Sequence, residues 1–125
     1  MRYLTAEEIL RLHYEIIESY GGAHGVLDEG RLKSIEVAPS QVVFGIDQYT
    51  TVYEKAAVYA RNIIGDHPFS DGNKRSGITV ASVFLDLNGY LMKAAPKELE
   101  DFAVSVATNR LDIPAIAEWL ETHTA

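Results

Sequence analysis

The chain has 125 residues and a mass of 13.8 kDa, the size of one ordinary domain that can bury a core without disulfides or metals. A hydrophobic content of 47% with a charged content of 23% is typical of a folded soluble protein and excludes a disordered chain. A net charge of -7 excludes the broad basic surface of a nucleic-acid-binding protein, and the absence of cysteine excludes disulfides, thiolate zinc sites and cysteine nucleophiles.

The sequence shows no targeting or membrane segment. The first residues lead directly into a polar helical pattern, and no stretch reaches the ~20 apolar residues that a membrane helix needs. Together with the lack of cysteine, these features predict a cytoplasmic protein that binds neither membrane nor nucleic acid directly.

Two helices are predicted in the first third of the chain. Residues Thr5 to Glu8 have the capping-box pattern, so a helix begins there, and apolar residues recur at helical spacing as far as Tyr20. A pair of glycines then stops the helix. Asp28 is placed to cap a short helix that continues to about Val37.

Residues 40–49 predict a β-hairpin. Gln41 to Phe44 is β-prone, Gly45 can turn the chain, and Ile46 to Tyr49 can return antiparallel. A lone hairpin is marginally stable in water. We therefore expect it to lean on the helices or on a partner chain.

The second half of the chain predicts four more helices. A second capping box at Thr51 opens a helix that continues to Gly65. The next helix, Gly72 to Asn88, has apolar residues on nearly all faces, which indicates a central position. Pro96 and Asp112 begin the last two. The predicted fold class is all-α, a compact helical bundle with a small hairpin, in a single domain of residues 1–125.

Three ring-bearing residues outside the later motif are interpreted as structural. His13 lies on the apolar face of the first helix, so we expect a packed imidazole with one satisfied ring nitrogen. His24 lies in the glycine-rich loop and is expected to be solvated. Trp119 is expected to pack at the edge of the last helix.

The residues best suited to chemistry are concentrated between His67 and Arg75. A helix that begins near Gly72 directs its free amides and the positive end of its dipole into this loop, and a glycine lets an anion approach the backbone closely. Lys74 and Arg75 add positive charge in the first helical turn, where it is unfavourable without an anion nearby. The pattern predicts a phosphate site.

Two residues of this loop have alternative interpretations. Asp71 can cap the helix, or it can bind a Mg²⁺ ion that bridges to nucleotide phosphates, and the neighbouring cations and histidine favour the metal. His67 can be a packed imidazole or the base that takes a proton from a hydroxyl nucleophile. Phe69 is interpreted as an anchor whose ring enters the core.

The run from His67 to Arg75 resembles the Fic motif. That motif reads histidine, proline, phenylalanine, any residue, acid, glycine, asparagine, glycine or lysine, arginine, and every specified position matches here. Within the superfamily the chain is similar to the Doc branch, because Asp71 stands where most members have glutamate and Lys74 where most have glycine. The short chain and the helix ending in Tyr20 and two glycines are also similar to Doc toxins.

This resemblance implies the Fic fold, in which the hairpin is a flap that pairs with an extended stretch of the target protein. It implies that His67 is the general base, that Asp71 is the Mg²⁺ ligand and that Asn73 donates to the phosphates of ATP. Lys74 and Arg75 would bind phosphate through their charges, and the backbone at Gly72 would approach the same phosphate closely.

The resemblance also bears on which group is transferred. Doc toxins phosphorylate elongation factor Tu, whereas most Fic enzymes attach AMP. Ile78 stands where many AMP-transferring members have a second arginine, which favours transfer of phosphate from ATP to a serine or threonine. Thr79 stands where Doc proteins tend to have asparagine, and we include it among the nucleotide-binding residues. AMP transfer is the alternative.

A regulatory partner is implied by a missing pattern. Many Fic enzymes inhibit themselves with a helix whose sequence reads serine or threonine, any three residues, glutamate, then glycine or asparagine. The nearest match in this chain is Thr50 to Glu54, and it fails because the next residue is Lys55. This favours a toxin restrained by a cognate antitoxin that supplies a helix in trans. A hypothesis of another class is a non-catalytic module that holds the antitoxin and tunes its DNA binding.

Overall fold

The computed structural model describes residues 1–125 and confirms the all-α class. Its six helices are α1 (Ala6–Tyr20), α2 (Glu29–Val37), α3 (Val52–Asp66), α4 (Asn73–Leu87), α5 (Pro96–Asn109) and α6 (Ile113–Thr122). A 3-10 turn at Ala38–Ser40 and two antiparallel strands, β1 (Val42–Val43) and β2 (Ile46–Asp47), connect α2 to α3. None of the helices has the length and apolar character needed to cross a membrane.

The two predicted capping boxes have different outcomes. At the start of α1, the Thr5 hydroxyl accepts the Glu8 amide and the Glu8 carboxylate accepts the Thr5 amide, so the box is complete. At the start of α3, the Thr51 hydroxyl accepts the Glu54 amide, but the Glu54 carboxylate accepts from threonine hydroxyls instead of the cap backbone. The second box is therefore half formed.

The starts of three other helices agree with the sequence, and that of α4 does not. Asp28 and Asp112 cap α2 and α6, and Pro96 is the first residue of α5. The N-cap of α4 is Gly72, in the left-handed region at φ 76°, and no side chain bonds to the free amides of that turn. The alternative interpretation of Asp71 as the cap of α4 is thus wrong, because Gly72 is the N-cap and neither carboxylate oxygen of Asp71 accepts a first-turn amide.

The centre of the bundle is α3 rather than α4. Helix α3 packs against α2, α4, α5, α6 and the 3-10 turn, whereas α4 packs mainly against α1, α3 and α5. The small residues Ala56, Ala57 and Ala60 are fully buried on α3 and allow this close packing. Leu87 of α4, predicted to be internal, is 41% exposed.

The hairpin is short and exposes its apolar side chains. Its turn residues, Phe44 and Gly45, have φ of 51° and 74°, and two positive φ values are typical of tight hairpin turns. The Phe44 side chain is 97% exposed, and Val42 and Ile46 are also exposed. One alternative of the prediction is that the hairpin packs against the helices. That alternative is wrong, because the apolar side chains of the strands are not buried there.

A buried lysine holds both ends of the hairpin segment. Lys55 of α3 is only 6% exposed, and its Nζ donates to the carbonyl oxygens of Pro39 at 3.2 Å and Tyr49 at 2.6 Å. These two carbonyls precede and follow the hairpin. The helices thus fix where the hairpin begins and ends.

Candidate active site

The loop between α3 and α4 contains the Fic-like motif and is fixed by its own aromatic residue. His67 closes α3 in the left-handed conformation at φ 50°, and the Phe69 side chain is completely buried, as predicted. An antiparallel bridge pairs Phe69 with Val26, supported by the Ser70 amide, which donates to the Gly25 carbonyl at 3.0 Å. The loop is therefore fixed both by the burial of Phe69 in the core and by its pairing with the segment Gly25–Val26.

Asn73 uses its whole side-chain amide to fold the motif loop. Its Oδ1 accepts the Phe69 amide at 3.1 Å, and its Nδ2 donates to the Phe69 carbonyl at 3.0 Å and lies 3.4 Å from His67 Nδ1. Only 8% of the residue is exposed. Donation from Asn73 to a phosphate, as implied by the resemblance, stays a prediction, because the Phe69 carbonyl takes one amide hydrogen and the other has only the long contact to His67.

His67 presents one ring nitrogen to solvent. The residue is exposed, and no protein group bonds to its Nε2. The contact between Asn73 and Nδ1 is long at 3.4 Å, and in the tautomer that carries its proton on Nδ1 it is not a hydrogen bond and Nε2 is unprotonated. His67 is thus available to accept a proton from an incoming hydroxyl.

One oxygen of the Asp71 carboxylate is hydrogen-bonded within the protein, and the other is free. Its Oδ2 accepts the backbone amide of Ala23 at 2.7 Å, while its Oδ1 accepts no hydrogen bond from the protein. No group of three or more histidine, aspartate or glutamate side chains could hold a metal ion, and Asp71 is the carboxylate that the motif itself offers. That donor set fits Mg²⁺, which commonly binds one or two carboxylates together with nucleotide phosphates and water.

His13 is a packed residue, as predicted, but it packs against the motif. Its ring is 1% exposed and stacks on Phe69 with centroids 3.8 Å apart. Nε2 donates to the Asp71 carbonyl oxygen at 2.8 Å. Burial lowers the pKa of His13, although the hydrogen bond to Asp71 opposes this shift. The sequence carried no signal of the contact beyond the position of His13 on an apolar helix face.

The beginning of α4 has the features expected of an anion site. The first-turn amides have no side-chain cap, and Lys74 is exposed with no carboxylate within ion-pair distance. The Arg75 guanidinium lies over the Tyr20 ring at 4.2 Å and is 3.5 Å from Glu100 Oε1. Free amides, the helix dipole and two cations together favour a bound phosphate group.

Two cavities border the motif. A small one of about 120 Å³ is lined by Tyr20, Arg75, Ile78, Thr79, Pro96, Leu99 and Glu100. A larger one of about 440 Å³ is lined by His67 and by residues of α3, α5 and the chain after α5: Arg61, Ile64, Gly65, Val106, Ala107, Arg110 and Leu111. No signal in the sequence identifies Arg61, which precedes the motif by six residues, or Arg110, which follows it by 35 residues, because neither belongs to a local pattern.

Of the residues predicted for the site, the structure brings His67, Asp71, Lys74 and Arg75 together around the start of α4, with Gly72 at its cap. Thr79 lies one turn further along α4 and reaches the small cavity beside Arg75. His67 and Arg75 line different cavities, so the predicted site residues extend from the motif loop along the first two turns of α4.

Comparison with known proteins identifies the family of this fold and motif. The model of the Fic/DOC family matches residues 3–85. The chain is 33% identical over 120 residues to the protein kinase doc of Escherichia phage P1, covering 96% of this chain and 94% of that protein. It is 34% identical over 125 residues to the toxin Doc of Mycolicibacterium smegmatis, covering 98% of this chain and 94% of that protein. The chain belongs to the Fic/DOC family.

Proposed function

We propose that the protein is a toxin of a toxin–antitoxin pair that transfers a phosphoryl group from ATP to a serine or threonine hydroxyl of another protein. The observation that supports this most is the exposed His67 beside an uncapped helix start that carries Lys74 and Arg75. The names of two relatives, a protein kinase and a toxin, support the same activity.

In the proposed reaction, His67 accepts the proton of the target hydroxyl as its oxygen attacks the γ-phosphorus of ATP. The bond from the γ-phosphorus to the bridging oxygen breaks, and ADP leaves with the electron pair. Charge on the transferred group is stabilised by the first-turn amides of α4, Lys74 and Arg75. A bound Mg²⁺ would neutralise negative charge on the phosphates of ATP, and Asp71 Oδ1 is the oxygen that would hold it.

The cavity beside His67 supports nucleotide binding. Its volume of about 440 Å³ lies in the range of ordinary small-molecule sites, and it offers two guanidinium groups, Arg61 and Arg110, among apolar side chains. The cavity next to Thr79 is smaller, about 120 Å³, and Ile78 places no cation there. The lack of a second arginine at that place favours phosphate transfer over AMP transfer.

The protein target and the regulatory partner belong to the same proposal. Elongation factor Tu is the proposed target, which places the activity in the cytoplasm. The exposed hairpin, with Val42, Phe44 and Ile46 facing solvent, suits an extended stretch of the target. A cognate antitoxin would restrain the enzyme by covering the motif.

The test uses ATP labelled on either the α or the γ phosphorus, with Mg²⁺, the purified protein and elongation factor Tu. Label transferred from the γ position supports the kinase, and label from the α position would establish AMP transfer instead. Label from neither position, on elongation factor Tu or on any protein of a cell lysate, would leave only a non-catalytic, antitoxin-binding role.

A pair of histidine variants tests the base. His67→Ala should lower transfer by about 10²-fold or more, the usual contribution of a general base. His123→Ala is the matched control, because His123 closes α6 and stacks on Trp119 at 3.8 Å, in neither motif cavity. Equal activity of the two variants would overturn the assignment of His67.

A further inference from the structure

The segment that follows α1, Gly22–Gly25, lies directly against the motif loop. The Ala23 amide donates to Asp71 Oδ2 at 2.7 Å, and the Gly25 carbonyl accepts the Ser70 amide at 3.0 Å. Because these contacts join residues about fifty positions apart, they are tertiary contacts that the motif does not encode by itself. The motif loop takes its position from this segment as well as from its own helices.

Gly22 is the residue that permits the close approach. Its φ of 111° is a conformation that side chains rarely adopt. A Cβ added there would lie 3.2 Å from Asp71 Cβ, 3.3 Å from Ile17 Cδ1 and 3.5 Å from Asp71 Oδ2. Any side chain at this position would therefore press on Asp71 itself.

The segment is also fixed to α1. His24 Nε2 is 2.8 Å from Glu18 Oε2, and its ring stacks on Tyr14 with centroids 4.6 Å apart. From the same helix, His13 holds the backbone carbonyl of Asp71 at 2.8 Å. Asp71 is thus held at its carbonyl and at one carboxylate oxygen by groups that belong to α1 and the segment after it.

We propose that the segment Gly22–Gly25 is a positioning element for the metal ligand of the site. By occupying Oδ2, the Ala23 amide selects one orientation of the Asp71 carboxylate and leaves Oδ1 for the metal-bound nucleotide. The inference rests on the proposed function, because it takes Asp71 as the Mg²⁺ ligand. It assigns a role to residues that do not themselves touch the nucleotide.

Two neighbouring glycines provide a matched test. Gly21, the C-cap of α1, also has positive φ, 88°, but a Cβ there would meet no atom within 4 Å. Gly21→Ala and Gly22→Ala both place a Cβ at a residue of positive φ, and only the second presses on Asp71. Binding of Mn²⁺ with a non-hydrolysable ATP analogue, followed by electron paramagnetic resonance, measures the effect without turnover.

Gly22→Ala should weaken Mn²⁺ binding about tenfold and raise the Mg²⁺ concentration for half-maximal transfer by the same factor, as is usual for partners of metal ligands. Gly21→Ala should stay within about twofold of the wild type in both measurements. Equal Mn²⁺ affinities of the two variants would overturn the role of the segment.

Asp71→Asn separates this inference from the proposed function. If it binds Mn²⁺ as the wild type does, Asp71 is not the metal ligand and the proposed metal site fails. If it loses Mn²⁺ while Gly22→Ala keeps it, only the positioning role fails. Should Gly22→Ala not fold, amide exchange still decides, because Asp71→Ala must accelerate exchange at Ala23 if its amide is held by Oδ2.

Discussion

Gly77 determines how closely α4 approaches α3, and replacing it with alanine tests that packing. A Cβ at Gly77 would lie 2.6 Å from Ile64 Cγ1 and 3.1 Å from the Ala60 carbonyl oxygen. The carbonyl cannot move without shifting α3. Overpacking of this kind costs about 1–3 kcal/mol, and the gain in helix propensity from alanine returns about 1 kcal/mol. We expect Gly77→Ala to lower the free energy of unfolding by up to about 2 kcal/mol.

Gly65→Ala is the control for that substitution. Gly65 also lies in a helix, but the nearest atom to an added Cβ is the Arg61 guanidinium carbon at 3.8 Å, an ordinary contact. Only the propensity gain applies there, so stability should rise by up to about 1 kcal/mol. Urea unfolding of both variants should separate them by about 1–3 kcal/mol. A Gly77→Ala protein as stable as Gly65→Ala would refute the close approach of the two helices.

Three other substitutions have distinct expected results. Burial raises the pKa of Tyr59 to about 12, above the value of ~10 in an unfolded chain, so its stabilising contribution is present below pH 10. The free energy of unfolding, measured by urea titration, should fall by about 2–3 kcal/mol between pH 10 and 12. The Tyr59→Phe variant should not show this fall. Ser76 Oγ is buried without a partner, so Ser76→Ala should raise the free energy of unfolding by about 1 kcal/mol. Lys55→Met removes the two bonds that hold the hairpin ends, so amide exchange at Val42–Asp47 should accelerate while α3 stays protected.

The helices were predictable because their signals are local. Capping residues such as Thr5 and Asp112 act on amides two or three positions away, and apolar spacing identifies the buried face. The central position of α3 was not predictable in the same way. Its alanines carry little hydrophobic signal, yet their small size lets neighbouring helices approach from several sides.

The candidate site was predictable where it is contiguous and not where it depends on the fold. The residues from His67 to Arg75 stand together in the chain, so their combination could be recognised directly. The contacts of His13 and Ala23 with Asp71 join separate parts of the chain, and only the structure shows them. The cap considered as an alternative role of Asp71 does not form, because Gly72 is the N-cap of α4 and the one hydrogen bond of the Asp71 carboxylate is to Ala23.

Some polar residues of the motif stabilise the loop, and others are free to contact a substrate. Substitutions of the first kind should lower stability, and substitutions of the second kind should lower activity alone. Asn73 bonds to both backbone groups of Phe69, so Asn73→Ala leaves a buried amide and carbonyl unpaired and should cost about 2–4 kcal/mol of stability. Lys74 is exposed without an ion-pair partner in the first turn of α4, so Lys74→Ala should leave the urea midpoint unchanged or raise it slightly while phosphate transfer falls at least tenfold. If Lys74→Ala destabilises the fold as much as Asn73→Ala, Lys74 is structural, and the anion site at the start of α4 loses its main support.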